Sequence, residues 1–298
     1  RVMVGETDDI AFYGNGSDEL HLNFNFPLMR TSRMTPQHVQ QNQQMRLAQL
    51  PEAAWPCNTL GNHDSSRMLT AFGDGVHDED IARVNLMMLL SIKGTPFLYN
   101  GEELGMSDVL IESLPDFVDP VGKYYYQLEK EVMGSDEATA IRIAARGSRD
   151  KGRSPMQWSS AAHGGFCSAG VRPWLPVNPD FARGVNYEDE RIKEDSMWNY
   201  YRSILAFRKG CPALIAGDMT FLPVKDENLL ALIRQTERET ALILLNMGEE
   251  PVHFETSGFL QGHPAQQLVT RRGKYTFQAQ TVELHGHSGV ILLSENEG

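Results

Sequence analysis

The sequence predicts an α/β fold, a parallel sheet covered by helices, joined to a small antiparallel β-sandwich. Three observations carry that expectation. Residues 1–101 run strand, strand, helix, strand, helix, strand, and such alternation builds parallel sheets. Residues 101–195 lose the periodicity and hold Gly152, Pro155, Gly164, Gly165, Pro173, Pro176 and Pro179. From Gly217 onward, short apolar runs alternate with turns, the texture of a sandwich. The boundary is expected near Ala216, giving domains at residues 1–215 and 216–298.

Taken in order, residues 1–5 read as a short buried strand through Val2 and Val4, with Glu6 and Thr7 at its carboxyl end. A carboxylate placed beside apolar side chains can carry a raised pKa and serve as a proton donor. The plain alternative for Glu6 is a solvated loop acid beside Asp8 and Asp9. Tyr13-Gly14-Asn15-Gly16 is a turn signal. Residues 21–26 alternate polar and apolar and read as a strand ended by Pro27. The helix expected between these two strands is short or missing. Thr35 caps a Gln-rich polar helix that starts at Pro36 and runs to about Leu47.

Residues 55–60 are a short apolar run closed by Gly61, so Asn62, His63 and Asp64 are expected at the carboxyl end of a strand. In α/β barrels that end carries the chemistry. An imidazole next to a carboxylate can grip sugar hydroxyls and offset developing positive charge. Against this stands a capped turn, because Asn, Asp and Ser bond their own backbone. Asp78-Glu79-Asp80 opens a largely apolar helix that Gly94 closes. Residues 95–99 form another buried strand, with Glu102 and Glu103 as loop structure past its tip. Within residues 101–195, Trp158 and Trp174 argue for an ordered lid or site wall. Met197, Tyr200, Tyr201, Ile204 and Leu205 share one face of a helix over 196–209, stopped by Gly210 and Pro212. Strands are then expected at 221–224, 229–233, 241–245, 267–270 and 290–293.

Hydrophobic residues make up 41% of 298, enough for a sizeable core. The formal net charge of -12 argues against binding to nucleic acid or to an anionic membrane. No apolar run approaches the roughly twenty residues of a membrane span. Cys57, Cys167 and Cys211 are widely spaced with no Cys-x-x-Cys, which indicates neither a zinc site nor a disulfide framework. Free thiols fit a reducing, cytoplasmic compartment. No Asp- and Asn-rich metal loop stands out. The chain opens on Arg1 rather than Met, directly in what reads as mid-domain strand.

Four stretches together resemble the alpha-amylase superfamily of glycoside hydrolases, most closely its alpha-glucosidase and oligo-1,6-glucosidase branch. They are Val4-Gly5-Glu6-Thr7 followed by Phe24-Asn25-Phe26; Gly61-Asn62-His63-Asp64; the run from Gly94 through Asn100-Gly101-Glu102-Glu103 to Gly105; and Arg149-Asp150-Lys151-Gly152-Arg153-Ser154-Pro155-Met156-Gln157-Trp158 with Pro173-Trp174 behind it. The third and fourth are long and specific, and the fourth marks the glucosidase branch. The resemblance implies the carboxyl-terminal half of a TIM (β/α)8 barrel, strands five to eight, followed by the small β domain. It implies a retaining glycosidase acting on alpha-glucosidic bonds of short oligosaccharides. Glu6 then looks like the general acid/base and Asp64 like the transition-state carboxylate. His63 would hydrogen-bond the same sugar, and Arg153 would contact the non-reducing-end glucose or else form a structural salt bridge.

The family's nucleophile is an aspartate on the fourth barrel strand, and the first four strands have no counterpart here. The resemblance therefore implies that this chain alone is inactive, and that an amino-terminal half-barrel on another chain is a possible partner. No cofactor is implied; calcium sites in relatives are often upstream. Two other activities fit the same family: transglycosylation or sugar isomerisation, as in relatives that make trehalose or isomaltulose, and an inactive binding subunit like the heavy chains of amino-acid transporters. Retention of Glu6, His63, Asp64 and Arg153 argues against the last. The choice between alpha-1,4 and alpha-1,6 bonds stays open.

Overall fold

The computed structural model of the chain describes residues 1–260 and 264–296. In order come β1 (Val4–Gly5), a 3-10 turn at Ile10–Tyr13, β2 (Leu22–Asn23), α1 (Phe26–Met29), α2 (Pro36–Gln49), β3 (Cys57–Thr59), α3 (Met68–Phe72), α4 (Asp78–Ser91) and β4 (Thr95–Phe97). Then follow α5 (Pro120–Gln127), a π-helical turn at Leu128–Met133, α6 (Glu137–Gly147), α7 (Tyr187–Glu190), α8 (Met197–Lys209) and α9 (Pro212–Ala216). The chain continues through β5 (Asp218–Phe221), β6 (Leu229–Gln235), β7 (Glu239–Asn246), β8 (Val252–Glu255), β9 (Gln266–Val269), β10 (Tyr275–Gln278), β11 (Thr281–Leu284) and β12 (Ser288–Glu295). Two compact units share these elements: residues 1–60, 72–97 and the chain from 200 onward in the first, residues 61–71 and 98–199 in the second.

In the first unit β1 pairs β2 and β3 pairs β4, both parallel, with Val4 opposite Leu22 and Cys57 opposite Thr95. Parallel pairing needs a long crossover, and α4 supplies it between β3 and β4. Among the described residues no ladder joins β2 to β3; side chains bridge the gap. Asn25 Nδ2 donates to Asn58 Oδ1 at 2.9 Å and to Asn42 Oδ1 at 2.8 Å, and Gln43 Nε2 donates to Asn58 Oδ1 at 2.9 Å. Arg46 donates to the carbonyl of Asn23 at 2.9 Å. This explains why α2 is so polar: its buried side carries Asn42, Gln43 and Arg46, each of them partnered. Thr35 caps α2 as expected, its side chain accepting from His38 N at 3.2 Å.

The sandwich pairs a five-stranded sheet, ordered β5-β6-β7-β12-β9, with a three-stranded sheet, β10-β11-β8. Leu229, Ala231, Leu242, Leu244, Val290 and Leu292 meet Val252, Phe254, Val282 and Leu284 in one core. The three central strands β6, β7 and β12 are buried on both faces, since α4 packs on β7 and β12. That double burial makes them read as unbroken apolar runs. Two arginines serve the carboxyl end of α4, where carbonyls lack helical partners. Arg208 donates to Leu90 O at 2.5 Å, and the fully buried Arg234 donates to Ser91 O at 2.7 Å and to Gly217 O.

Several expectations need correction, among them the strand at 221–224, which lies at Asp218–Phe221. Residues 1–5 are not a buried strand: Val2 is 67% and Met3 57% exposed. Among the described residues β1 pairs on one side only, so its other edge is uncovered. The strand over 21–26 stops at Asn23, because Pro27 sits in the first turn of α1. Residues 101–195 are not wholly irregular, since α5 and α6 form a helical pair within them. Strands β8, β10 and β11 were also absent from the expected set. The helix expected to be missing between the first two strands is indeed only the turn at Ile10–Tyr13. The expected change of texture falls between α9 and β5. Among the described residues no helix is long and apolar enough to cross a membrane.

Candidate active site

In the second unit the backbone carbonyl and the side chain of consecutive residues hold one arginine. Arg153 Nε donates to His63 O at 2.6 Å, while its Nη2 donates to Asp64 Oδ1. Asp64 N in turn donates to Asn62 Oδ1 at 2.9 Å, an Asx turn that fixes the strand tip. The turn expected of Asn, Asp and Ser at this strand tip is formed. Arg149 Nη1 comes to 3.5 Å from the same Oδ1, and His63 Nε2 to 3.6 Å. Among the described residues no hydrogen bond reaches Asp64 Oδ2, which leaves that oxygen available to a hydroxyl.

Arg149 is the residue that sequence reasoning missed, though it opens the fourth quoted stretch. Its position is set from behind. Buried Asp119 accepts from Arg149 Nη2 at 2.7 Å, from Nε at 3.0 Å and from its backbone N at 2.8 Å. The hydrogen bonds from Arg149 hold the Asp119 carboxyl well below the usual carboxylate range. They push the Arg149 guanidinium further up, so it stays charged. Buried Asp150 accepts from the backbone N of Val118 and Asp119, both at 2.8 Å, and so joins the two segments. No part of this chain of supports is visible in sequence spacing alone, because Asp119 lies thirty residues from Arg149.

Close approach of two loops completes the support. A Cβ at Gly152 would meet Ser65 O at 2.6 Å, so only glycine lets the Arg153 segment lie against the Asp64 turn. Tyr99 donates to Gly152 O at 3.1 Å. Buried Arg67 donates to Asn100 O at 2.8 Å and lies 5.2 Å from the Tyr99 ring centre. Trp174 donates its indole N–H to Arg153 O at 3.3 Å and meets Phe166 edge-on at 4.8 Å. Trp158 meets Tyr187, which meets Trp198. The two expected tryptophans are held by these contacts and are 47% and 58% exposed. Glu102 is buried and accepts from Tyr99 N at 3.2 Å, in keeping with its expected structural part.

Glu6 stands in the first unit, one residue past β1, and is exposed. His63, Asp64 and Arg153 stand in the second unit and the structure brings them together with Arg149. The salt bridge considered for Arg153 is formed, and its partner is Asp64.

Comparison with known proteins gives consistent results. Residues 1–217 match the family model described as alpha amylase, catalytic domain. The probable oligo-1,6-glucosidase 3 of Bacillus subtilis (strain 168) is 31% identical over 205 residues, 68% of this chain and 36% of that protein. The glucan 1,6-alpha-glucosidase of Streptococcus dysgalactiae subsp. equisimilis is 33% identical over 201 residues, 67% of this chain and 37% of that protein. Among solved structures, a trehalulose synthase in complex with Tris superposes with a TM-score of 0.84 at 28% identity, over 98% of this chain and 56% of that one. An isomaltulose synthase from Protaminobacter rubrum gives 0.83 at 25% identity, over 98% and 55%. The matched part is thus little more than half of each solved enzyme, and the parallel strands β1 to β4 are the carboxyl-terminal half of a (β/α)8 barrel.

Proposed function

The chain belongs to the alpha-amylase catalytic-domain family, and from that premise we propose that it is the carboxyl-terminal part of a retaining glycoside hydrolase acting on alpha-glucosidic bonds of short oligosaccharides. The observation that supports this reading most is Asp64, gripped on one oxygen by Arg153 and Arg149 while the other faces no donor. A carboxylate held on one side only keeps its free oxygen fixed for the hydroxyls of a sugar ring. In this reading Asp64 offsets the positive charge of the oxocarbenium-like transition state. His63 donates to the same sugar. Arg153 positions Asp64 and reaches the terminal glucose, and Arg149 is a second positioning residue. Glu6 protonates the leaving glycosidic oxygen and later takes a proton from the attacking water.

The nucleophile, in the same reading, is an aspartate outside these 298 residues. The chain alone is then inactive, and its uncovered β1 edge pairs with the preceding half of the barrel, on the same or another chain. No cofactor takes part in the steps assigned to these residues. A cytoplasmic setting is supported by free Cys57, Cys167 and Cys211. The names of the curated relatives favour alpha-1,6 bonds. A sugar-isomerising activity is the second reading, favoured by the likeness to trehalulose and isomaltulose synthases; there a sugar hydroxyl rather than water takes the glycosyl group.

The test is turnover of an aryl alpha-glucoside, first by the 298-residue chain and then by the chain mixed with a polypeptide carrying four preceding barrel strands. None is expected from the chain alone, and turnover by it would overturn the missing-nucleophile reading. In the complemented enzyme, Glu6→Gln is expected to lower kcat/KM for an oligosaccharide by about 10²–10⁴-fold. Unchanged kcat/KM would remove Glu6 from the acid/base role.

A further inference from the structure

The chemistry above uses nothing near the amino end of α4, yet three ligating side chains meet there, all in the first unit. Asp74 and His77 precede α4, and His287 precedes β12; one ligand atom from each lies within 4.8 Å of those of the other two. His77 Nδ1 is 2.9 Å from Asp74 Oδ2. The backbone N–H groups of Val76 and His77 donate to the other carboxylate oxygen, at 2.8 and 2.6 Å, and so fix it. The two imidazole rings are 5.1 Å apart with a tilt of 38°. His287 is 5% exposed, and its buried Nε2 has no hydrogen-bond partner among the described residues. Its φ is +46°, a left-handed conformation that a histidine adopts at a cost. A buried polar atom with no partner in a strained residue points to a group that this site is shaped to hold. A cavity of 140 Å³ opens on it, lined in part by Arg33, Asp74, Asn85, Glu249 and His287.

We infer that Asp74, His77 and His287 form a binding site for a divalent transition-metal ion of the zinc type. Two imidazoles and one carboxylate suit such an ion, whereas calcium and magnesium take oxygen ligands. Zinc sits about 2.0–2.2 Å from nitrogen and oxygen ligands, so two ligands of one ion stand at most about two bond lengths apart. The His77–Asp74 pair is already within that span, and a modest side-chain rotation closes the rest. Binding would replace the contact between Asp74 and His77 and requires the ligating atoms to carry no proton. Arg33 faces the cavity and opposes a cation; Glu249 faces it too and offsets that charge, and water would complete the coordination. The ion would clamp the start of β12 to the turn ahead of α4, a structural task separate from glycosidic chemistry.

The experiment is calorimetric titration of ZnCl2 into the 298-residue chain, made without a histidine tag and stripped with a chelator at neutral pH. One equivalent is expected to bind and to raise the melting temperature. His287→Gln and His77→Ala are each expected to weaken binding by at least the roughly tenfold that even outer partners of a metal cost, while His63→Ala leaves it unchanged. The His77 side chain is 40% exposed, so His77→Ala keeps the test readable should His287→Gln fail to fold. Cobalt in place of zinc is expected to show no thiolate charge-transfer band. No stoichiometric binding, binding unaltered in both variants, loss in His63→Ala, or a thiolate band would each overturn the inference.

Discussion

In the first unit the strands β6, β7 and β12 bury nearly every side chain, and ladder hydrogen bonds settle almost all of the backbone. In the second unit long stretches of irregular backbone are tied by buried charged side chains: Asp119, Asp150 and Asp180 accept from backbone or amide N–H groups, and Arg67 donates to carbonyls. Apolar area holds a regular sheet because any side chain of suitable size serves. Irregular backbone cannot pair with itself, so each orphan N–H or C=O needs a designated partner. The lesson is that the candidate site lies where the backbone is held by particular polar atoms, and such atoms can be aimed. Burial there raises Asp180 and Asp108 while the guanidinium of Arg149 lowers Asp119, so one unit holds carboxylates pushed both ways.

This contrast can be broken or sharpened by substitution. Leu244→Ala removes a fully buried side chain from the sandwich core and is expected to cost about 3 kcal/mol in chemical denaturation. A cost below about 1 kcal/mol would show that the sheet does not rest on apolar packing. Asp119→Ala strips Arg149 of its main partner and is expected to cost about 2 kcal/mol. Hydrogen exchange should rise around residues 118–150 and leave β7 and β12 protected; equal loss in both places would mean that the units do not differ in kind. The Asp119 contribution also has a defined pH course. Its folded pKa is depressed, so the stability it confers is fully present above the unfolded carboxylate value of about 4 and fades as pH falls below that. The difference between wild type and Asp119→Ala should therefore shrink on acidification, and a difference that grows would reverse the sign of the argument. Thr35→Ala, which removes the cap of α2, is expected to cost about 1 kcal/mol. Lys93→Ala should sit within about 0.5 kcal/mol of wild type, because its partner Asp218 is 92% exposed.

The same contrast explains what could be read in the sequence. Helix α4 was legible because ten successive buried residues follow three acids in its first turn. Strands β6, β7 and β12 were legible for the same reason, as unbroken apolar runs. Strands β8, β10 and β11 were not: each is only four residues long, and in β8 and β10 every second residue is exposed, as with His253 and Glu255, so there is little signal to count. Helices α5 and α6 hid because the core side of α6 is alanine, at Ala140, Ala144 and Ala145, which blurs the apolar stripe. Their caps were readable all the same: Asp119 before Pro120, and Asp136 before Glu137. At the candidate site the motifs pointed to His63, Asp64 and Arg153, and the structure gathers these three. The support through Arg149 to Asp119 is a tertiary fact. Whether Val2 and Val4 are covered depends on what lies beside β1, which composition cannot reveal.

Arg208 and Arg234 bear on how this molecule can be cut and recombined. A chimera spliced after Ala216 would import Arg234 with its new β-sandwich while the carbonyl it serves, on Ser91, stays with the host. Arg208 would remain behind and lose none of its acceptors. A swap between relatives that ignores this division keeps Arg234 on its Gly217 acceptor but leaves its bond to the carbonyl of residue 91 to the host's α4, so the sandwich and the carboxyl end of α4 have to be matched to each other.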